Sequence, residues 1–149
     1  MLDILVYLAG EIHSDWRNDI IAQAEAEGLP VEFLSPVTDH DTSDNVGVAV
    51  LGPEESDFWK DRKGAQINAI RTRTALERCD VIVVKFGEKY RQWNAAFDAG
   101  YAVALGKQLI VIHPPEFTHA LKEVDGAAQA VAETPAQVVE ILKYVTVKD

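Results

Sequence analysis

Cysteine is almost absent from this chain, which has only Cys79 among its 149 residues. One thiol cannot build an internal disulfide framework or a metal site made of several thiolates. We therefore expect Cys79 to be a buried and chemically inert thiol. Long hydrophobic runs are also absent, and no basic leader precedes the first apolar segment. These two absences predict a cytoplasmic protein that has no membrane partner.

Positive charge is scarce as well. The chain has 14 Lys and Arg against 24 Asp and Glu, which gives a formal net charge of −10. Binding to a nucleic-acid backbone draws most of its affinity from Lys and Arg, so the charge argues against a nucleic-acid polymer as partner. A small molecule that is compact or neutral fits this charge better.

The overall composition is that of an ordinary globular protein, with 48% hydrophobic and 26% charged residues. A length of 149 residues corresponds to one domain of the usual size. We therefore predict one domain over residues 1–149.

Short apolar segments alternate along the chain with helical patterns. Strands are predicted at 3–8, 31–34, 80–86 and 109–112, with a short fifth strand near 130–132. Helices are predicted after Ser14 as N-cap, over 65–78, from 93 to about 105, and from Thr134 to about 144. This alternation predicts an α/β fold in three layers, with a parallel sheet of about five strands covered by helices on both faces.

Two segments lack such a pattern. Residues 36–64 are rich in Asp, Asn, Ser and Gly and predict a long polar loop, with at most a helical turn near 46–51. Loops of this length inside a compact domain are usually functional or disordered. The segment between the fourth and fifth strands is predicted to be rich in turns.

Asp98 is the most informative side chain. It lies within a predicted helix of mostly small and apolar residues that follows a buried strand. An acidic residue near a helix N-terminus can simply stabilise the helix, but a carboxylate buried without partners is costly, and a pocket wall explains it better. The carboxyl end of such a strand is where ligands bind in open α/β sheets. Asn94 shares a helix face with Asp98, and Trp93 is a candidate to stack on a nucleobase.

Tyr7 and Gly10 lie at the carboxyl end of the first predicted strand. A phenol in a buried strand needs a hydrogen-bond partner, which is equally true of a core tyrosine and of a tyrosine in a site. Gly10 permits close approach of a ligand or simply a tight turn. The loop that follows has no GxGxxG pattern, so the sequence does not support a dinucleotide site.

Other chemistries have weaker signals. Imidazole and carboxylates are common metal ligands, which makes His40, Asp41 and Asp44 a minor metal-binding alternative. The remaining histidines are expected to be solvated loop residues: His13, His113 and His119. The chain has no GxSxG motif and no identifiable base for Cys79, which disfavours a serine or cysteine nucleophile.

Several stretches together resemble the nucleoside 2-deoxyribosyltransferase superfamily: VYLAG at 6–10, CDVIVV at 79–84, FDAGYA at 97–102 and GK at 106–107. The chain is more closely similar to the YtoQ branch of that superfamily through HD at 40–41, SDN at 43–45, FGEKY at 86–90 and QWN at 92–94. The resemblance implies a flavodoxin-like fold, homo-oligomers and cleavage of an N-glycosidic bond through a covalent glycosyl–carboxylate intermediate. We predict no cofactor and no metal.

By this resemblance the nucleophile, a glutamate in the transferases, falls on Asp98, and the tyrosine that positions it falls on Tyr7. Two aspartates of the transferases fall on Gln92 and on or near Thr72, and a loop glycine becomes Asn94. The acids expected to protonate the leaving base are therefore replaced by neutral side chains.

Other side chains of this chain are candidates to take over the roles of these acids. Asn68 and Arg71, one helical turn apart, are candidates to recognise the substrate. Glu88, Asp41 and Asp44 are candidate acids if the polar loop folds over the pocket. We thus predict catalytic residues Asp98 and Tyr7, and substrate-binding residues Gly10, Asn68, Arg71, Gln92, Trp93 and Asn94.

Two functions remain open from the sequence. The first is an N-glycosidase or deoxyribosyltransferase-like enzyme that acts on a nucleoside or nucleotide. The second is a binding module that keeps the same pocket for a nucleotide-type ligand without turnover. A metal-dependent hydrolase built on His40, Asp41 and Asp44 is a third and weaker hypothesis.

Overall fold

A computed structural model describes residues 3–89 and 92–147, so Tyr90 of the FGEKY stretch lies outside the described residues. Five strands form one sheet, and each pairs in parallel with its neighbour. They are β1 (Ile4–Gly10), β2 (Val31–Leu34), β3 (Val81–Lys85), β4 (Gln108–Ile112) and β5 (Ala130–Ala132), in the order β2-β1-β3-β4-β5. The predicted α/β fold with a parallel sheet of five strands is confirmed.

Helices cover both faces of the sheet. They are α1 (Trp16–Ala26), α2 (His40–Leu51), α3 (Asp57–Arg78), α4 (Trp93–Ala104), α5 (Lys122–Ala127) and α6 (Pro135–Thr146), with a 3-10 turn at Pro115–Phe117. Alternate residues of β1 enter two separate cores. Val6 and Leu8 pack with α1 and α6 on one face, whereas Tyr7 and Ala9 pack with α3 and α4 on the other. The three layers of the predicted fold follow from this alternation.

The prediction of a long loop over residues 36–64 is wrong. The structure has α2 and the first two turns of α3 in this segment. Asp39 caps α2 by accepting a hydrogen bond of 2.7 Å from the Thr42 N–H, and Ser56 caps α3 through the Trp59 N–H at 3.4 Å. Asp and Ser are typical of loops and of helix N-caps alike, and here they begin helices.

Two glycines explain how α2 and α3 cross. A Cβ on Gly47 would lie only 2.4 Å from Lys63 Cβ and 2.6 Å from the backbone nitrogen of Gly64. A Cβ on Gly64 would lie 3.2 Å from the backbone oxygen of Asp44. The two helices therefore touch backbone to backbone, a contact that larger residues would prevent.

The other helix predictions have mixed outcomes. The predicted N-cap Ser14 lies one residue too early, since Asp15 occupies that position and Ser14 instead hydrogen-bonds to Glu11. The turn-rich segment after β4 also contains α5. At the last helix the prediction is confirmed, because the Thr134 hydroxyl accepts a hydrogen bond from the Gln137 N–H and the Gln137 side-chain oxygen accepts one from the Thr134 N–H.

We predict that Gly47→Ala lowers the free energy of unfolding by about 1 to 3 kcal/mol, because the added methyl group overpacks the crossing of α2 and α3. Gly100→Ala is the matched control, since its Cβ would meet nothing within 4 Å and alanine favours the helical α4. This control should gain about 0.5 to 1 kcal/mol. Urea denaturation of both variants measures the difference, and equal effects would contradict the close crossing.

Candidate functional site

A cavity of about 860 Å³ lies beside the carboxyl end of β1, between α2, α3 and α4. Its volume is in the range of small-molecule pockets. The carboxyl edge of an open parallel sheet is also where ligands are expected to bind. The cavity is therefore the candidate ligand site.

Seven of the eight predicted site residues line this cavity: Tyr7, Gly10, Asn68, Arg71, Gln92, Asn94 and Asp98. Among the described residues the lining includes Gln92 and Asn94 but not Trp93. The Trp93 side chain is 70% exposed on α4. The structure thus brings the predicted residues together apart from Trp93.

Asp98 is a half-buried carboxylate in the middle of α4. Burial raises its pKa to about 6. The helix begins at Trp93 and has no acidic residue in its first turn, so stabilisation of the helix end does not explain this side chain. Within residues 3–89 and 92–147 no group donates a hydrogen bond to the carboxylate. A carboxylate kept partly desolvated and without a donor is typical of a functional position.

Tyr7 extends from β1 into the core beside Asp98 and is only 1% exposed. Burial, followed by the negative charge of Asp98, raises the pKa of Tyr7 to about 12, although a hydrogen bond from Thr72 and the charges of Arg17 and Arg71 oppose this change. The phenol is therefore neutral at physiological pH. It is a potential hydrogen-bond donor close to a carboxylate.

The polar side chains of α3 are partly committed to the backbone. Asn68 donates its amide to the carbonyl of Ser43 at 3.0 Å. Arg71 donates from Nε and Nη2 to the carbonyl of Ser35 at 3.2 and 3.1 Å. These bonds attach α3 to α2 and to the end of β2. The amide oxygen of Asn68 and Nη1 of Arg71 have no hydrogen bond in the described part of the chain.

Gln92 and Gly10 contribute in different ways. Gln92 donates its side-chain amide to the carbonyl of Lys89 at 2.8 Å, just before α4 begins. Gly10 has a φ of 111° and lies so close to β3 that a Cβ would stand 2.3 Å from the Lys85 carbonyl oxygen. The close approach at Gly10 is thus made to the backbone of the neighbouring strand β3, and its approach to a ligand stays a prediction.

Glu11 is a cavity residue that the sequence analysis missed. It follows Gly10 directly, is 5% exposed, and accepts hydrogen bonds from the His13 N–H at 2.6 Å, from the Ser14 hydroxyl and from Lys85 Nζ at 3.3 Å. Burial alone raises its pKa, but these donors outweigh burial and hold the pKa below its ordinary value. The pairing of Glu11 with Lys85 depends on β1 and β3 being neighbours, which the sequence pattern did not show.

Arg17 is a second missed residue, and it holds the end of β1 in place. Its guanidinium donates to the carbonyls of Leu8 at 2.9 Å, Gly10 at 3.1 Å and Glu11 at 2.6 Å. The side chain is 6% exposed and lies over the ring of Trp16 at 4.6 Å. Buried carbonyls need donors, and one side chain supplies three of them here.

The histidines behave in two ways. His113 was predicted to be solvated, which is wrong: it is 3% exposed and its Nε2 lies 2.8 Å from Asp125 Oδ2. This partner stands on α5, a helix that was not predicted. His13, His40 and His119 are exposed, and the rings of His13 and His40 lie 6.5 Å apart at the cavity.

Among the described residues, the hypothesis of a metal site on His40, Asp41 and Asp44 finds no set of ligands. His40 pairs with Asp44 at 3.1 Å, but in the described ranges no three His, Cys, Asp or Glu side chains are arranged to hold a metal ion. As for the candidate acids, Asp44 lines the main cavity, whereas Glu88 lines a smaller neighbouring one. Asp41 belongs to neither lining.

The fold resembles solved structures of related architecture. One is a 2-deoxyribosyltransferase from Bacillus psychrosaccharolyticus, with a TM-score of 0.55 and 15% identity over 91% of this chain and 90% of that chain. Another is a conserved protein from Enterococcus faecalis V583, with a TM-score of 0.65 and 13% identity over 97% and 99% of the two chains. At these identities the likeness defines the class of fold, which is that of the nucleoside 2-deoxyribosyltransferases.

Sequence comparison gives the family within that class. Residues 7–146 match the family described as nucleoside 2-deoxyribosyltransferase YtoQ. The protein YtoQ of Bacillus subtilis (strain 168) is 43% identical over 143 residues, which cover 96% of this chain and 97% of that protein. The chain belongs to the YtoQ family. No helix in the described part of the chain has the length and apolar character needed to cross a membrane.

We predict that Asp98→Asn makes the protein more stable at neutral pH. The pKa of Asp98 is raised to about 6 in the folded state, so keeping it ionised above that pH costs stability, and the cost disappears as the pH falls toward the ordinary value of 3.8. The variant should gain about 1 to 3 kcal/mol at pH 7.5 and about a third as much at pH 4.5. Urea denaturation at both pH values tests this.

The matched control is Asp15→Asn, which changes an exposed aspartate that makes no side-chain cap hydrogen bond. It should leave stability nearly unchanged at both pH values. A gain for Asp98→Asn that is the same at pH 4.5 as at pH 7.5 would contradict a raised pKa.

Proposed function

We propose that this protein acts on the N-glycosidic bond of a nucleoside or nucleotide, with the Asp98 carboxylate as the nucleophile. The observation that carries the proposal is that Asp98, a half-buried carboxylate without a hydrogen-bond donor in the described residues, lines a ligand-sized cavity beside Tyr7. Membership of the YtoQ family and the deoxyribosyltransferase fold support the same class of reaction.

The reaction begins with an attack by one Asp98 oxygen on the anomeric carbon. The bond from that carbon to the base nitrogen breaks, its electron pair leaves with the base, and a glycosyl ester of Asp98 forms. Water or a second base then attacks the same carbon and releases the carboxylate, so that the configuration of the sugar is retained. Water completes a hydrolysis, and a second base completes a transfer.

Tyr7 is the proposed positioning partner of Asp98. A neutral phenol beside the carboxylate can donate a hydrogen bond to one oxygen and leave the other free to attack. The buried position of Tyr7 in β1 restricts its ring, which favours a fixed direction of attack. The transferases that this chain resembles use a glutamate as nucleophile. Because the aspartate side chain is one methylene shorter, the sugar must bind close to α4.

The departing base nitrogen needs a proton, and Thr72 and Gln92 cannot supply it. The cavity has other groups on its α2 side, where His40 pairs with Asp44. An imidazole is the side chain best suited to give up a proton near neutral pH. We assign the protonation of the leaving base to this pair.

We predict that Asp98→Ala abolishes release of free base from a panel of nucleosides and nucleotides, measured by chromatography. Asp61→Ala is the matched control, because Asp61 is another carboxylate that lines the cavity, from α3, and it should retain activity. Tyr7→Phe should lower kcat/KM about ten- to hundredfold, as expected when a hydrogen bond to a charged group is lost. Mass spectrometry of the wild-type protein should detect a glycosyl adduct on Asp98.

The pH profile adds a separate test. Because the pKa of Asp98 is about 6, kcat/KM should fall as the pH drops below that value. If no member of the panel releases base but a nucleotide raises the melting temperature, the alternative function of a binding module is supported instead. Activity that is equal in wild type and Asp98→Ala would overturn the proposed nucleophile.

We also propose that the chain forms a homo-oligomer through α4. Trp93 and Phe97 are 70% and 65% exposed and lie one turn apart, and the Phe97 and Tyr101 rings are 6.1 Å apart. This exposed aromatic stripe runs along the cavity, since Phe97 and Tyr101 belong to its lining. Large exposed aromatic surfaces next to a site are typical of protein interfaces. A second copy packed here would cover the cavity.

We predict that Phe97→Ser shifts the protein to a smaller species in size-exclusion chromatography with light scattering. Phe58→Ser is the matched control, because Phe58 is 67% exposed at the start of α3 and lies outside the described cavity lining. This control should keep the wild-type mass. An identical mass for wild type and both variants would argue against an interface on α4.

A further inference from the structure

Glu11 stands at a special place in the sheet. The strand order β2-β1-β3-β4-β5 reverses direction between β1 and β3, and this reversal is where open α/β sheets leave a crevice for ligands. Gly10 pairs with Lys85 across the two strands, and the Glu11 N–H donates to the Lys85 carbonyl at 3.0 Å. The Glu11 carboxylate and the Lys85 ammonium therefore meet at the crevice itself.

The Glu11 carboxylate is held in place by its donors but still has an unused acceptor site. Its Oε1 accepts from Ser14 Oγ and Lys85 Nζ, whereas the His13 N–H is the one donor to its Oε2 among the described residues. An ionised carboxylate has about four acceptor sites, two on each oxygen. One site on Oε2 is left for a further donor.

Glu11 also lies between two spaces. It lines the main cavity with Asp98, and it lines a smaller cavity of about 430 Å³ with Lys85, Glu88 and His113. Only His13 shares this double position among the described residues. Glu11 therefore lies within reach of a ligand in the main cavity.

The two sides of the main cavity differ in chemistry. Arg71 is held near the end of β2 and Asn68 near α2, so a guanidinium and an amide stand on that side. Glu11 stands on the β3 side, where it pairs with Lys85, a residue of the smaller cavity. Amide and guanidinium groups suit the carbonyl and ring-nitrogen acceptors of a base, whereas a fixed carboxylate suits a hydroxyl donor and repels a phosphate.

We propose that Glu11 binds a hydroxyl group of the glycosyl part of the substrate through Oε2, and that it thereby determines which sugars are accepted. This inference rests on the proposed function, because it takes the sugar to lie between Asp98 and Glu11. The bond is charge-assisted, so its loss costs more than that of a neutral hydrogen bond. Glu11 forms no bond to the reacting carbon and is a specificity residue.

The test combines one substitution with a series of sugars. Glu11→Gln keeps the shape of the side chain and removes its charge. Wild type and variant are compared on an intact nucleoside that wild type cleaves and on its 2′-, 3′- and 5′-deoxy analogues. We expect Glu11→Gln to lower kcat/KM about ten- to hundredfold on every compound that keeps the bound hydroxyl, and to have almost no effect on the one analogue that lacks it.

Ser14→Ala is the control for a merely structural role. It removes one hydrogen bond to Oε1 and leaves the free site on Oε2 unchanged. Loosening of the loop should affect all analogues equally, so this variant should show no preference for one of them. Melting temperatures show whether Glu11→Gln folds. If Glu11→Gln does not fold, the same series is measured on Lys85→Met, which keeps the Glu11 carboxylate. The kcat/KM of one deoxy analogue must then still fall more than that of the others.

The outcomes separate this inference from the proposed function. Equal losses on all analogues for Glu11→Gln, or a preference that Ser14→Ala reproduces, would overturn the role of Glu11 while leaving Asp98 as nucleophile. If no compound is turned over, the same series is measured by calorimetry as binding to Asp98→Asn and to the double variant Asp98→Asn/Glu11→Gln. A loss of binding in the double variant for every compound except one analogue supports Glu11 even though the proposed reaction fails, and an equal loss for all compounds overturns it.

Discussion

The interaction on which the site depends is the contact of the Arg17 guanidinium with three carbonyls at the end of β1. Where a strand ends, its carbonyls lose their partners in the sheet, and burying them without donors would be costly. Arg17 supplies these donors from α1, on the face of the sheet opposite to Asp98. The position of β1, and with it the positions of Tyr7, Gly10 and Glu11, thus depends on a residue that does not line the cavity.

Two of the carboxylates that line the cavity, Asp98 and Glu11, have opposite surroundings. Burial raises the pKa of Asp98, to which no described residue donates a hydrogen bond, whereas three donors hold the pKa of Glu11 down against the effect of burial. A carboxylate of the first kind retains reactive lone pairs, and one of the second kind is a fixed anion suited to recognition. The difference arises from the surroundings alone, because both side chains end in the same group.

The sequence predicted the sheet and much of the site, but it did not predict α2 and the first turns of α3. Strands with buried branched residues and the small-residue helix around Asp98 have clear periodic patterns, so β1 to β5 and α4 were found. Asp39 and Ser56 belong to residue types that both loops and N-caps favour, and only tertiary packing of α2 on α3 decides between these uses. The Glu11–Lys85 pair joins residues 74 positions apart, and no local pattern reports such a contact. His113 was misjudged for the same reason, because its partner Asp125 lies on an unpredicted helix.

The crossing of α2 and α3 at Gly47 and Gly64 allows residues that line the cavity to be exchanged. Because α2 and α3 touch through their backbones, the hairpin they form is joined by a contact that does not depend on which side chains surround it. The α2 residues that line the cavity, His40, Ser43 and Asp44, can therefore be exchanged without disturbing that contact or the sheet that carries Tyr7. The pair assigned to protonation of the leaving base thus lies on a different structural unit from Asp98, Tyr7 and Glu11, so a lineage can alter the first set while it keeps the second.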